Sequence, residues 1–243
     1  MTHKTKGIVL RTVKYGETSL VVTIFTALFG VQTYLVNGVR SSKNKTSKAS
    51  YFLPAAILDL VVYHQEQKNM QRIKEFGWAK LYRQVLTNVH KNSVALYMME
   101  LLYKCLKQPE QQTDLFDFCE DVLQELDDAT SKTTANLPIF FALHLPYFFG
   151  FRINDNYSET TPVLDLKEGS FCSGTPQHTQ FLEGAEAQIT ADLLKVMHPT
   201  TLEDLHLNQP VRRRLLHHYH VYYSLHIAEF GQMKTLAVLQ EVL

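Results

Sequence analysis

"GIVLRTVKYGETSLVVTIFTALFGVQTYLVN", residues 7–37, decides the fold. It holds three short runs rich in β-branched and aromatic residues, "GIVLRTV", "LVVTIF" and "VQTYLVN". "KYGET" with Gly16 and "TALFG" with Gly30 separate them, and both carry turn chemistry. Two similar runs follow, "AILDLVVY" and "MQRIKEF", parted by the polar "HQEQKN". Five strands of about five to eight residues, with the longest connection between the third and fourth, have the layout of an OB-fold barrel. Another small barrel with the same strand count fits the pattern as well.

The long connection is "GVRSSKNKTSK", residues 38–48, with four basic side chains and no acid. The chain as a whole is formally neutral, 24 Lys and Arg against 24 Asp and Glu. Residues 1–78, however, hold eleven basic and four acidic residues, a net +7, which leaves −7 for the remainder. A single-sign field on one segment points to a polyanionic partner for that segment. At 243 residues and 45% hydrophobic, the chain can bury one large core or two smaller ones. No apolar run reaches the roughly 18 residues that span a bilayer. The opening "MTHKTKGIVLRT" alternates instead of continuing into an apolar signal core, so a cytoplasmic protein without membrane contact is expected. Three scattered cysteines, Cys105, Cys119 and Cys172, do not make a disulfide framework.

Beyond Trp78 the apolar period becomes helical. Leu81, Val85 and Val89 mark one face, Val94, Met98, Leu101 and Cys105 a second, and Leu115, Cys119, Val122 and Leu126 a third. The acids of "EQQTDLFDFCEDVLQELDD" are assigned to the solvated side of that third helix. "NLPIFFALHLPYFFGF" is apolar nearly all round and is expected to be buried, with Pro146 kinking or ending it. A further helix is predicted from Thr179 as N-cap, through Leu182, Ala185, Ile189, Leu193 and Met197, to Pro199. The last opens at Pro210 and stops at Gly231. The predicted fold class is therefore α+β: a five-stranded OB-fold barrel over residues 1–78, then an all-helical domain over 79–243 with an irregular insert at about 152–178.

Catalytic constellations are missing. "GSFCSGT" has Gly169 and Gly174 in a phosphate-loop spacing, but Thr175 stands where the lysine belongs, and no G-x-S-x-G occurs. His217, His218, His220 and His226 crowd the last helix without a Cys-x-x-Cys to complete a metal site, so hydrated or core-edge histidines are expected. The reading is a non-enzyme with no cofactor and no metal.

The order and spacing of several short motifs resemble the bacterial recombination mediator RecO family. They are the strand at Gly7 to Arg11, "YGET", "FT" before a glycine-bounded strand, "NGVRSSK", Phe52 and Pro54, then "LHLPYFFGF", "VLDLKEGSF" and "GQMKTLAVL". The resemblance covers most of the chain. It implies an OB-fold followed by helices, binding of single- and double-stranded DNA, and annealing of complementary strands. It also implies partnership with RecR, in many bacteria with RecF, and with single-stranded DNA-binding protein, in loading a recombinase at the nucleoid. Family members often carry a four-cysteine zinc cluster in the insert; here Tyr157 lies where the first cysteine would fall and only Cys172 remains. An arginine near the start of the family's buried helix helps hold the acidic, phenylalanine-ended tail of the single-stranded DNA-binding protein. "TTANLPIFF" offers no basic residue there, so either the tail docks elsewhere, for instance near Arg212, Arg213 and Arg214, which is the favoured reading, or this contact is weak.

The residues themselves nominate Lys43, Lys45 and Lys48 as phosphate contacts, Arg40 as a better ordered bidentate one, and Arg11 and Lys14 beside the first turn. Tyr15, Tyr34, Tyr51 and Phe52 are candidates to stack on bases. The alternative function is a non-catalytic adaptor whose barrel binds an acidic protein surface.

Overall fold

The computed structural model describes residues 1–40 and 48–242. Five strands close into a barrel in the order β1-β2-β3-β5-β4: β1 (Thr2–Tyr15), β2 (Ser19–Thr26), β3 (Gly30–Val36), β4 (Ile57–Tyr63) and β5 (Gln71–Trp78). Closure depends on β1 serving two partners. Its first half pairs with β4 from Thr2↔Tyr63 to Ile8↔Ile57, and its second half with β2 from Gly7↔Thr26 to Tyr15↔Ser19. At the handover, a Cβ on Gly7 would stand 2.6 Å from Ile24 and 2.9 Å from Leu60, so only glycine lets the neighbouring walls meet. The register then slips by one between Val9 and Arg11, a bulge that bends the strand.

This geometry explains why "GIVL" shows no clean alternation: both faces of β1 are buried. Val9 enters the barrel core with Leu20, Val22, Ile24 and Tyr34, whereas Ile8 and Leu10 join Phe25, Ala55 and Ile57 in the core of the helical part. The two parts are also tied by the ion pair Lys6 to Glu120 at 2.8 Å. Gly30 (φ +59°) adds to the join: a side chain there would run into the Glu110 carbonyl.

The helices are α1 (Val89–Cys105), α2 (Thr113–Asp128), α3 (Ser131–His144), α4 (Gly184–Leu194), α5 (Gln209–His226) and α6 (Thr235–Val242). Among the described residues none is long and apolar enough to cross a membrane. Cys105 and Cys119 are buried on α1 and α2 with the expected apolar partners. α3 is buried along nearly its whole length, and Pro146 follows its end inside a 3-10 turn, Leu145–Phe149. The insert is more regular than a single β-like "VLDL", for its β6 (Val163–Asp165) and β7 (Ser170–Cys172) pair with each other, and β8 (Phe181–Leu182), just beyond it, completes a three-stranded antiparallel sheet on the other side of β6.

Four local expectations fail. Residues 79–88 do not form the helix that Leu81, Val85 and Val89 outline: Leu81 is 73% exposed, Val89 is exposed, and α1 starts only at Val89, capped by Asn88. The cause is Asp127, which accepts the backbone N–H groups of Arg83, Gln84 and Val85 at 2.8, 2.8 and 2.9 Å and so holds the connector in a turn. Asp127 is accordingly buried, 2% exposed, not on the solvated face of α2. Thr179 does not cap α4, because Phe181 and Leu182 pair with β6 first, and Met197 lies beyond the helix end, exposed. Finally α5 stops at His226, with the Ile227 N–H closing on Tyr223, five residues before Gly231.

Burial alone would raise the Asp127 pKa; the three N–H bonds and nearby Lys91 outweigh it and leave it below the ordinary carboxyl value. A depressed folded pKa stabilises above the unfolded value of about 4 and loses that contribution as pH falls through the folded pKa. Asp127→Ala is expected to lower the unfolding free energy by about 3 kcal/mol at neutral pH, since the buried Val85 N–H and the part-buried N–H groups of Arg83 and Gln84 lose a charged acceptor. The deficit should begin to shrink below about pH 4, where the unfolded chain takes up the proton, and vanish as the folded carboxylate protonates at lower pH, as read from urea midpoints at fixed m value.

Candidate nucleic-acid interface

The barrel's cations were predicted on three segments, and the structure gathers two of these. Arg40 follows the end of β3; its backbone N–H donates to the Thr18 carbonyl at 3.0 Å and its guanidinium to the Gly16 carbonyl at 3.2 Å. Ser19 reaches Asn37 at 3.1 Å. The β1–β2 turn and the exit of β3 are thus clipped together, which brings Lys14 and Arg40 to one end of the barrel. Arg11 and Lys14 are exposed, but three residues apart on one strand they leave it on opposite faces. Lys43 and Lys45 lie outside the described residues. Lys48 opens a 3-10 turn, Lys48–Phe52, and is exposed.

Two of the four proposed stacking residues are excluded by burial. Tyr34 is fully buried, with its hydroxyl pKa raised by desolvation, and Phe52 is buried against Phe76 with ring centroids 4.8 Å apart. Tyr15 is exposed. Tyr51 is partly exposed and stacks on Trp78 at 4.7 Å and 23°. Trp78, the chain's single tryptophan, is half-buried and stands outside the sequence candidates because it marks the end of the strand pattern. The available signal was Phe76 and Trp78 at the i, i+2 spacing that puts both on one strand face.

On the helical side, the predicted arginine run is partly engaged within the chain. Arg212 donates to the Leu207 carbonyl at 2.5 Å, Arg213 to the Gln240 carbonyl, and Arg214 pairs with Glu186. Arg212 and Arg213 flank a narrow cleft walled by Ala135, Pro138, Leu216 and Leu239. The start of α3 is not without a cation, for Lys132 precedes the quoted "TTANLPIFF" and its ammonium lies 3.1 Å from His206.

The histidines of α5 diverge. His220 is half-buried, bonds Tyr97 at 2.9 Å and has its pKa pushed down to about 4 by desolvation; His218 faces Glu186, and His226 bonds the Leu166 carbonyl. The insert's side chains do not fit a zinc cluster. Tyr157 packs edge-on against Phe171 at 5.4 Å, and the lone Cys172 thiol donates to the Gly174 carbonyl. Asn156 cross-links that segment instead, its amide bonding both the N–H and the carbonyl of Phe171 at 2.9 Å. Among the described residues no three His, Cys, Asp or Glu side chains converge as metal ligands.

Comparison with known proteins now bears on this arrangement. Residues 1–82 match the family model described as recombination protein O N terminal, and residues 86–236 match recombination protein O C terminal. Proteins called DNA repair protein RecO are similar along their whole length. That of Phocaeicola vulgatus is 30% identical, covering 100% of this chain and 99% of the relative. That of Christiangramia forsetii is 31% identical over 98% of each. That of Azobacteroides pseudotrichonymphae is 29% identical, covering 100% of this chain and 99% of the relative. With both parts matched in order and relatives aligned end to end, the chain belongs to the RecO family of DNA repair and recombination proteins.

Proposed function

We propose that this protein binds the phosphate backbone of single- and double-stranded DNA through its barrel, anneals complementary strands, and helps place a recombinase on DNA coated with single-stranded DNA-binding protein. The observation that carries the reading is Arg40 clipped to the β1–β2 turn, beside Lys14 at one end of the barrel; Arg11, further back on β1, and Lys48, after the long connection, are further exposed cations. Annealing is opposed by repulsion between two phosphate chains, and lysines and arginines neutralise both without reading a base. Lys43 and Lys45, in the same connection, belong to this cationic set. No step of this activity requires bond-making chemistry, in keeping with the lack of a catalytic constellation in the sequence.

Partners in this reading are RecR, in some bacteria RecF, and single-stranded DNA-binding protein. An acidic tail ending in an aromatic residue needs a cation beside an apolar recess. Arg212 and Arg213 are the cations this reading assigns to the acidic part of the tail, with Arg214 held back by Glu186; the cleft they flank, about 20 Å³ between Ala135, Pro138, Leu216 and Leu239, has to widen to admit an aromatic ring.

If six phosphates are engaged, log affinity for duplex is expected to fall against log salt with a slope of about −5, and for single strands about −4. A Lys43→Ala, Lys45→Ala, Lys48→Ala variant should lose about two to three units of the duplex slope in fluorescence-anisotropy titrations. Unchanged slope and affinity would remove the connection from DNA binding. Binding of an acidic protein without any oligonucleotide affinity would favour the adaptor reading instead.

The docking assignment is separable. Arg212→Ala with Arg213→Ala should slow annealing of complementary strands precoated with single-stranded DNA-binding protein by about tenfold, the effect of losing about 1.4 kcal/mol of partner contact, while annealing of naked strands stays at the wild-type rate. Equal slowing of both would reassign these arginines to the DNA.

A further inference from the structure

At the C-terminal end of α3 the helical part holds a recess of about 640 Å³, within the range of about 300–1,000 Å³ usual for ligand pockets. Its walls are aromatic: Phe118 from α2, Phe140 from α3, and Tyr147 and Phe148 from the 3-10 turn that follows. Phe118 lies 5.1 Å from Phe148 and 6.3 Å from Phe140, so the phenylalanine wall is packed before anything binds. The rim is not covered. Tyr147 is 60% and Met197 86% exposed, and both line the opening. Large apolar side chains left in water beside an apolar recess mark an interaction site, and a methionine at the edge adapts to the shape that enters.

Charge selects the occupant. On α2, Asp114, Phe118, Asp121 and Glu125 recur at intervals of four, three and four residues and therefore share one face of the helix. Phe118 thus enters the recess from the middle of an acidic stripe about 16 Å long. The stripe follows the rim, since Glu125 stands 3.8 Å from His198, the neighbour of Met197. Asp155 adds a carboxylate to the lining. These are not the acids spent inside the fold, where Glu120 holds Lys6 and Asp127 holds the connector; Asp114, Asp121 and Asp155 are exposed and make no ion pair among the described residues. Against them stand Arg152, whose guanidinium lies 5.8 Å from the centre of the Tyr147 ring, and Lys195, which shares the end of α4 with Asp192. The balance at the rim is negative, and Arg152 shows that the Tyr147 face receives a guanidinium.

We propose that this recess docks a basic segment of a partner protein, with an aromatic or leucine side chain seated among Phe118, Phe140 and Phe148, and lysines or arginines laid along Asp114, Asp121 and Glu125. A field of this sign rejects the alternatives. Phosphate backbones, anionic membranes and acidic tails are repelled by the stripe, whereas an apolar anchor flanked by cations gains from both wall and rim. Apolar burial supplies the hold, and charge supplies the selection. A partner held here does not compete with DNA for the cations of the barrel, so the inference stands independently of the DNA-binding reading.

The test uses the full-length protein and a short fluorescein-labelled peptide of lysines around a phenylalanine and leucines, followed by anisotropy. One control peptide carries glutamate in place of lysine, and a second keeps the lysines but has alanine in place of the apolar residues. The basic apolar peptide is expected to bind at least about tenfold more tightly than either control. Tyr147→Ser with Met197→Ser, both at exposed positions, should weaken it about tenfold. Asp114→Asn with Asp121→Asn and Asp155→Asn should weaken it about fivefold and flatten its salt dependence. Circular dichroism melts that match the wild type show that the variants fold. Wild-type affinity in either variant would overturn the site, and so would equal binding of the alanine control, which would reduce the attraction to charge alone. Tighter binding of the glutamate peptide would give the recess to an acidic segment and overturn the assignment, and failure of all three peptides to bind at low salt would overturn the recess as a peptide site.

Discussion

β1 is shared between two hydrophobic cores, and this constraint governs the rest of the molecule. Val9 points into the barrel, while Ile8 and Leu10 point into the helical part beside Phe25, Ala55 and Ile57. Burying side chains of this size contributes about 1.5–3 kcal/mol each, so separating the two parts would expose a costly apolar face on the barrel. The barrel is therefore oriented by its own core-forming strand. One flank is spent on the helices, which leaves the exposed side chains of the β1–β2 turn and of the segment after β3 free to meet ligands. Asp127 completes the arrangement by holding the connector between Trp78 and α1 in a fixed turn.

The charge asymmetry of the sequence becomes intelligible on the same frame. Several acids of the helical part are consumed by internal duties: Asp127 in the connector, Glu120 on Lys6, Glu186 on Arg214. Glu100 likewise accepts the N–H groups of Lys234 and Thr235 at the start of α6. Cations on the free side of the barrel have few such partners. Their field therefore extends outward and acts over a screening length of about 8 Å at physiological salt.

The barrel was legible in the sequence because each strand carries its own signal: the five apolar runs, the turn glycines Gly16 and Gly30, and the long third connection all appear where expected. What was not legible depends on residues distant in the chain. Leu81, Val85 and Val89 have helical spacing, yet Asp127, some forty positions away, offers their segment a better set of hydrogen bonds than a helix would. Phe181 and Leu182 read as the start of a helix but find β6 as a strand partner. Tyr34 and Tyr51 are equivalent in composition terms; only closure of the barrel buries the first and leaves the second partly open. The pairing of Tyr63 with Arg72 was hidden for the same reason, because cross-strand neighbours become visible only once the register of β4 on β5 is known.

That register also relates β5 to the basic turn region. β3 and β5 touch in parallel at Tyr34↔Gln71 and Leu35↔Arg72, so Arg72 stands beside the strand that leads on to Arg40. Leu35 and Arg40 are five residues apart, at most about 18 Å of extended chain. A few nucleotides of single strand suffice to bridge that interval. In the annealing reading, a strand whose phosphates are neutralised along that interval would present its bases to a complementary strand. Such an arrangement favours annealing over mere sequestration, because the grip is electrostatic and reads no base edge.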